Sequence, residues 1–360
     1  MKLDEVLPRF TDEAIQVIQD HDSDSKQPLM LYLAYPAPHT PWLPSDEFIG
    51  KSGASMYGDF VMMVDSQVGR VLAALRSAEI DQDTLVVFTS DNGPCWHEED
   101  TERFGHDSVG GLRGMKADAW EGGHRMPFIV RWPNRVKEGS SSNQLLCFTD
   151  LLATFASVLG VKLPSDAGPD SFDFLSVLTD NPVGDEPLRN QFVMRAGSAA
   201  SMMTIRSGDW KLITALGSGG FSKPKLIKPS PSGPIGQLYG MANDRGETNN
   251  VYLQRPEVVA DLTAQMNKTV EDGRSRVVSN EEGDQTNDQA NSGAVDTNTV
   301  DTSTLTGKVM CGYQGWFNCE GDGANRGWTH WARRRNKPFG PGNVTVDLWP
   351  DMSESDPDER

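Results

Sequence analysis

Thr84-Leu85-Val86-Val87-Phe88-Thr89 runs directly into Ser90-Asp91-Asn92-Gly93. A short apolar, β-branched run with turn residues on both sides reads as a buried strand. Upstream of it, Phe60, Val64, Val68, Val71 and Leu75 recur at steps of three and four, which is the spacing of a helix with one buried face. Further upstream, Pro28 to Tyr35 (PLMLYLAY) is another short apolar run closed by prolines, and it predicts a second buried strand. Strand, helix, strand is the βαβ pattern, and it implies a parallel sheet covered by helices. Downstream, a glycine-rich loop leads to a further strand at Phe128 to Trp132. Asp150 is then placed to cap a helix that runs through Val158 and stops at Gly160.

After about residue 185 the pattern changes. Met203 to Arg206 and Trp210 to Thr214 flank Ser207-Gly208-Asp209, the signature of an antiparallel hairpin. A helix from Glu257 to about Val270, opened by Pro256, closes this part. From Arg274 to Thr306 the chain turns polar, and Leu253 to Gly312 holds no aromatic residue. Such a stretch buries too little apolar surface to offset its ordering entropy, so it reads as a disordered linker. Beyond it the composition swings the other way, with Trp316, Trp328, Trp331 and Trp349 supplying four of the nine tryptophans.

Composition narrows the partners. Of 360 residues, 51 are acidic and 33 are lysine or arginine, a net charge of −18. So acidic a surface repels nucleic acid and anionic membrane, which excludes both as partners. It also repels an anionic substrate at long range, so any anion site must be a local exception built from a few placed cations. No run approaches the ~18 apolar residues of a membrane span. Met1 to Phe10 carries charges and a proline where an export signal would be apolar, so no export signal is expected in this chain. Cys95, Cys147, Cys311 and Cys319 show neither a disulfide framework nor CxxC spacing, and leave the compartment unknown.

Three constellations carry chemistry. Asp91 and Asn92, directly after a strand, offer a carboxylate and an amide oxygen, hard ligands suited to Ca²⁺ or Mg²⁺. Alone, Asn92-Gly93 reads equally as a tight turn. Pro38-His39-Thr40-Pro41-Trp42 holds a histidine in a stiff loop, where it can exchange a proton near neutral pH or simply pack on Trp42. Gly110-Gly111-Leu112-Arg113-Gly114-Met115-Lys116, followed by Trp120-Glu121-Gly122-Gly123-His124-Arg125, lets the backbone approach a ligand and places Lys116 as a point charge for a tetrahedral oxyanion. A surface loop with an incidental lysine is the competing view. His106, a few residues upstream, either lines the same pocket or faces solvent.

In this order and spacing, the strand with PHTPW, the TSDNG turn, the GLRGMKADAWEGG loop and the MPFIVRWP strand resemble the sulfatase family of the alkaline phosphatase superfamily. The resemblance runs on through TIRSGDWKLI and GQLYGMANDRGETNN, so it covers about residues 1 to 275, and it is especially like bacterial arylsulfatase-type members. It implies an α/β fold with a mixed sheet and flanking helices, plus a small antiparallel C-terminal subdomain. It implies hydrolysis of a sulfate ester, with a sulfated carbohydrate or an aryl sulfate as partner and calcium as cofactor. Asp91 and Asn92 would be two calcium ligands. His39 and Lys116 would be catalytic, His39 protonating the leaving oxygen and Lys116 binding a sulfate oxygen. His106 would join them in holding substrate, and Arg125 would give structural support. Members of the family are often exported.

The family's nucleophile, a formylglycine made within a Cys/Ser-x-Pro/Ala-x-Arg motif, and its Asp-Asp pair of metal ligands are not found among these residues. The expectation is therefore a C-terminal half of such a domain, incomplete at the N-terminus and inactive by itself. The remaining alternatives are a non-catalytic binder of sulfated glycans and a phosphoryl hydrolase of the same superfamily. Lys308 to Phe317, Gly327 to Trp331 and Val346 to Asp351 resemble the opening of an endo-α-mannosidase-like glycoside hydrolase barrel, which makes a sulfated polysaccharide the expected substrate. The expected organisation is residues 1–185 for the α/β part, 186–275 for the antiparallel subdomain, 276–304 for the linker and 305–360 for the aromatic-rich barrel fragment.

Overall fold

A computed structural model describes residues 3–21, 28–179, 187–197 and 202–277. Nearly all of the expected linker, and the whole 305–360 piece, lie outside the described residues. The chain divides into two compact units, the first reaching Ala74 and the second beginning at Leu75.

In the first unit, α1 (Val6–Gln19) buries Leu7, Thr11, Ala14 and Ile18, a three-and-four spacing that gives one inward face. The expected helix around Phe60 is α2 (Ser55–Ser77). Phe60, Met63 and Val64 pack with Leu7, and Tyr35, Ala37, Trp42 and Phe48 close over them. Tyr35 shares a 2.8 Å hydrogen bond with Thr11, and the Asp59 carboxylate accepts the Gly50 and Ser52 amides at 2.8 Å each, fixing the turn before α2. The strand expected at Pro28 to Tyr35 does not form. Leu31 alone makes a bridge, and Leu29, Met30 and Tyr32 are exposed. An apolar run becomes a strand only where a neighbour meets its backbone groups, and hydropathy cannot supply that neighbour.

In the second unit, β1 (Val86–Thr89) and β2 (Phe128–Arg131) pair antiparallel, with Thr89 opposite Phe128. The βαβ reading predicted parallel pairing, whereas both sheets of the described residues are antiparallel. Between β1 and β2 lies the short α3 (Glu98–Phe104), closed by Gly105 in the left-handed region. The helix α4 (Asp150–Val158) occupies the expected span, but Thr149 is its cap residue. The Asp150 carboxylate turns inward instead, accepting the Cys147 and Phe172 amides and pairing with buried Arg189. A further turn of helix, α5 (Leu175–Leu178), follows.

The antiparallel pairing expected after about residue 185 forms as a four-stranded sheet. β3 (Gln191–Arg195), β4 (Met203–Ser207), β5 (Trp210–Ile213) and β6 (Gln237–Gly240) make a meander in chain order. The expected hairpin turns between Ser207 and Trp210, which face each other across the ladder. The last helix, α6 (Pro256–Asp272), opens with the proline as read. Side chains alternate across a strand, and the alternation divides this sheet sharply. Ile205, Leu212 and Leu238 pack with Leu262 and Met266 of α6, while Ile213 and Tyr239 face away and pack with Ala119 and Trp120. Lys211, two residues before Ile213, shares this second face. No helix of the described residues is long and apolar enough to cross a membrane.

Candidate active site

The strand β1 delivers Ser90, Asp91 and Asn92 at its end. Thr89 Oγ1 donates to the Pro127 carbonyl at 2.8 Å, so the strand end is tied to the start of β2. Two loops then meet. The Gly93 amide donates to the Gly123 carbonyl at 3.0 Å, and the Lys116 amide donates to the Pro94 carbonyl at 2.8 Å. A Cβ on Gly93 would lie 1.9 Å from the Gly122 oxygen. Gly93 therefore serves close backbone approach, which answers whether Asn92-Gly93 is only a turn. The Lys116 ammonium is near enough to the Cys95 thiol that its charge opposes the upward pull of partial burial on that thiol.

The other side of the Lys116 loop is held by the antiparallel subdomain. The Ala119 amide donates to Ser218 O at 2.7 Å. Asp118 Oδ2 accepts the Met115 amide at 2.9 Å, and its Oδ1 accepts the Phe221 and Ser222 amides at 2.7 and 3.0 Å. The Arg113 guanidinium lies 3.8 Å from the Trp120 ring centre and donates to the Glu247 carbonyl at 2.7 Å. Trp120 Nε1 donates to Gln237 Oε1 at 3.0 Å.

Below this loop sits a buried ion cluster. Lys211 Nζ lies 3.0 Å from Glu121 Oε1 and 2.9 Å from Glu247 Oε1, with the Lys211 side chain 2 % exposed and that of Glu247 fully buried. Glu247 Oε2 accepts the Glu121 amide at 2.6 Å. Arg125 Nη1 and His124 Nε2 reach Glu121 at 3.2 and 3.4 Å. Burial works to raise the Glu121 carboxyl, but the His124 hydrogen bond and the Lys211 charge outweigh it and hold Glu121 well below the usual carboxylate range. Glu247, with less compensation, is pushed up by burial. Burial and the Lys211 charge both push the His124 ring down. A buried carboxylate left unpaired would be costly, so this cluster fixes the loop's position strongly.

The structure brings Asp91, Asn92 and Lys116 onto two loops hydrogen-bonded to each other. Asp91 is exposed, and Asn92 Nδ2 donates to the Gly93 carbonyl at 2.9 Å, which leaves its oxygen as the end suited to a cation. As a donor set these two oxygens fit a hard cation, but they are a small part of the ~6–8 that calcium takes. No group of three His, Cys, Asp or Glu side chains among the described residues could hold a metal. His106 is exposed, its ring edge-on to Trp96 at 5.6 Å and its carbonyl accepting Trp96 Nε1 at 3.1 Å. His39 belongs to the first unit, where it is exposed and its Nδ1 lies 2.7 Å from Thr40 O. Sequence reasoning missed Glu121, Lys211 and Glu247 as the loop's support. The signal was present at Lys211, a lysine in phase with Ile213 on an inward face.

Residues 8–161 match the family model described as Sulfatase. The chain is 32% identical over 268 residues to an N-acetylgalactosamine-6-O-sulfatase of Bacteroides thetaiotaomicron, a match covering 73% of this chain and 50% of that protein. It is 36% identical over 179 residues to human steryl-sulfatase, covering 49% of this chain and 30% of that one. Among solved structures, one from work on the metabolism of multiple glycosaminoglycans by Bacteroides thetaiotaomicron superposes with a TM-score of 0.64 at 32% identity, covering 75% of this chain and 55% of the other. The chain thus spans about half the length of that N-acetylgalactosamine-6-O-sulfatase. The TSDNG turn and the Lys116 loop both fall inside the matched region, and the ion cluster packs beneath it: the chain belongs to the sulfatase family.

Proposed function

We propose that this chain is part of a sulfuric ester hydrolase acting on a sulfated polysaccharide. The observation that carries the reading is the Lys116 loop. It is hydrogen-bonded to the segment after Asp91-Asn92 on one side and clamped by Asp118, Arg113 and the Glu121–Lys211–Glu247 cluster on the other. A lysine whose backbone is held this firmly presents its ammonium from a fixed base, which suits charge that develops on a sulfate oxygen. Lys116 binds and orients the sulfate in this reading. His39 gives a proton to the leaving oxygen, a role that rests on the family resemblance alone, and His106 contributes to substrate binding. The family is metal-dependent as a rule. Asp91 and Asn92 would hold part of a calcium site, and the cation would supply further neutralisation of the sulfate charge. The names of a relative and of a solved structure, an N-acetylgalactosamine-6-O-sulfatase and a protein of glycosaminoglycan metabolism, support a sulfated glycan as substrate.

The test is a domain completed with the upstream half of a relative, assayed on sulfate and phosphate esters of one aryl alcohol. Predominant sulfate release, increased by calcium, supports the reading. Predominant phosphate release overturns it in favour of a phosphoryl hydrolase.

A further inference from the structure

We propose that the loop carrying Lys223, Lys225 and Lys228 is a docking site for the anionic chain of a sulfated polysaccharide, separate from the sulfate contact of Lys116. The inference rests on the sulfate-ester reading for its choice of polyanion. Acidic residues number 51 of 360, yet none occurs between Asp209 and Asp244. Within that acid-free stretch, Lys223, Lys225 and Lys228 are all exposed. This is a local cationic exception in a chain of net charge −18, the condition that an anion site here must meet.

The loop is built rather than loose. The Gly219 amide donates to Lys225 O at 2.8 Å, Ile227 N donates to Leu216 O at 3.0 Å, and Ser218 Oγ donates to Ser222 O at 2.6 Å. Pro224 and Pro229 stiffen the segment between and beyond the lysines. Lys225 Nζ stands 5.7 Å from the centre of the Phe221 ring, and Phe221 is itself exposed, which sets an aromatic face beside the charge. An apolar ring face next to ammonium groups suits a sugar chain bearing sulfates.

Its position links it to the Lys116 loop. The Phe221 and Ser222 amides bond to Asp118, and a Cβ on Gly220 would lie 2.3 Å from the Ala117 backbone. Lys223 thus follows directly after the two residues whose amides bond Asp118, and a glycan held at Lys116 would continue onto this loop. Nucleic acid and anionic membrane offer negative charge too, but a duplex or a bilayer must lie against more of this acidic surface than one loop, whereas a single glycan strand can be held by the loop alone.

Calorimetry of the full 360-residue chain with chondroitin sulfate, and with unsulfated hyaluronan as control, tests the proposal. Chondroitin sulfate is expected to bind in a salt-sensitive way. The triple variant Lys223→Gln, Lys225→Gln, Lys228→Gln should weaken it roughly tenfold, the scale of a few exposed charge contacts, while the triple arginine variant should retain it. Because these side chains are exposed, the glutamine variant should keep the parent's unfolding midpoint. Binding that persists in Lys116→Ala separates this site from the catalytic reading, so the two can fail independently. Unchanged affinity in the glutamine variant, equal binding of hyaluronan, or no binding of chondroitin sulfate by the parent chain would each overturn it.

Discussion

Glu247 accepts the backbone amide of Glu121 at 2.6 Å through one carboxylate oxygen and lies 2.9 Å from Lys211 Nζ through the other. The two glutamates are 126 residues apart in sequence, and this contact joins the antiparallel subdomain to the loop that presents Lys116. The subdomain's second sheet face is therefore part of the candidate site, as the support that sets where Lys116 stands.

Removing the shared cation should be severe. Lys211→Met leaves Glu121 and Glu247 buried together without their partner, and a broken buried pair typically costs ~3–5 kcal/mol. Chemical denaturation should show a loss of that order. Lys211→Met combined with Glu247→Met should be less destabilised than the single change, since one stranded charge is removed. Additive losses would argue against the cluster as drawn.

The same cluster gives a pH dependence. His124 is held below its ordinary value of 6.5 and Glu121 below its ordinary 4.5. Below each ordinary value the unfolded chain binds a proton that the folded chain does not, so stability falls with acidification, first under 6.5 and again under 4.5. Glu247, raised by burial, acts in the opposite sense just above its ordinary value and offsets part of the loss. The urea midpoint should drop between about pH 7 and about pH 5.5, and His124→Gln should flatten that limb. A midpoint flat over this range in the parent would contradict the assignment.

Two glycines should respond with opposite signs. Gly69 lies within α2 and a Cβ there meets nothing within 4 Å, so Gly69→Ala should stabilise by ~0.5–1 kcal/mol through helix propensity. Gly93→Ala places its Cβ 1.9 Å from the Gly122 oxygen and must push the two site loops apart, with a loss of ~1–3 kcal/mol or more. Denaturation midpoints of the two variants measure both effects, and a neutral Gly93→Ala would mean the loops are not packed as described.

Calcium affinity of the 360-residue chain should be weak and should depend on Asp91. One carboxylate and one amide oxygen leave most of a calcium shell to other donors, and affinity follows the number of charged ligands. Titration calorimetry should show weak heat that Asp91→Ala removes. Tight binding that survives Asp91→Ala would place the metal elsewhere.

Much of this was legible in the sequence where local patterns suffice. The three-and-four spacing at Phe60 to Leu75 and the turn at Gly208 each encode their element within a few residues, and α2 and the β4–β5 hairpin form accordingly. Pro28 to Tyr35 and the βαβ inference failed because strand pairing is decided by a distant partner. Neither the identity of that partner nor its direction is written in the run itself. At the site, the meeting of Gly93 with Gly122 and Gly123 was hidden for the same reason, since close approach is a property of two segments. Asp150 looked like a helix cap, yet Arg189 and the Phe172 amide, remote in sequence, draw its carboxylate inward. Lys211 was readable in principle, because alternation places it beside Ile213, but Glu121 and Glu247 as its partners were not.

The central claim is that Lys116, held by this scaffold, contacts the sulfate of a glycan ester. Its most direct test is kcat/KM for sulfate release from a sulfated glycan, comparing the completed domain with its Lys116→Ala variant. The account predicts a loss of about hundredfold or more, the scale of removing one preorganised charge contact in a transition state, with the unfolding midpoint unchanged. A Lys116→Ala domain that releases sulfate as efficiently as the parent would contradict it.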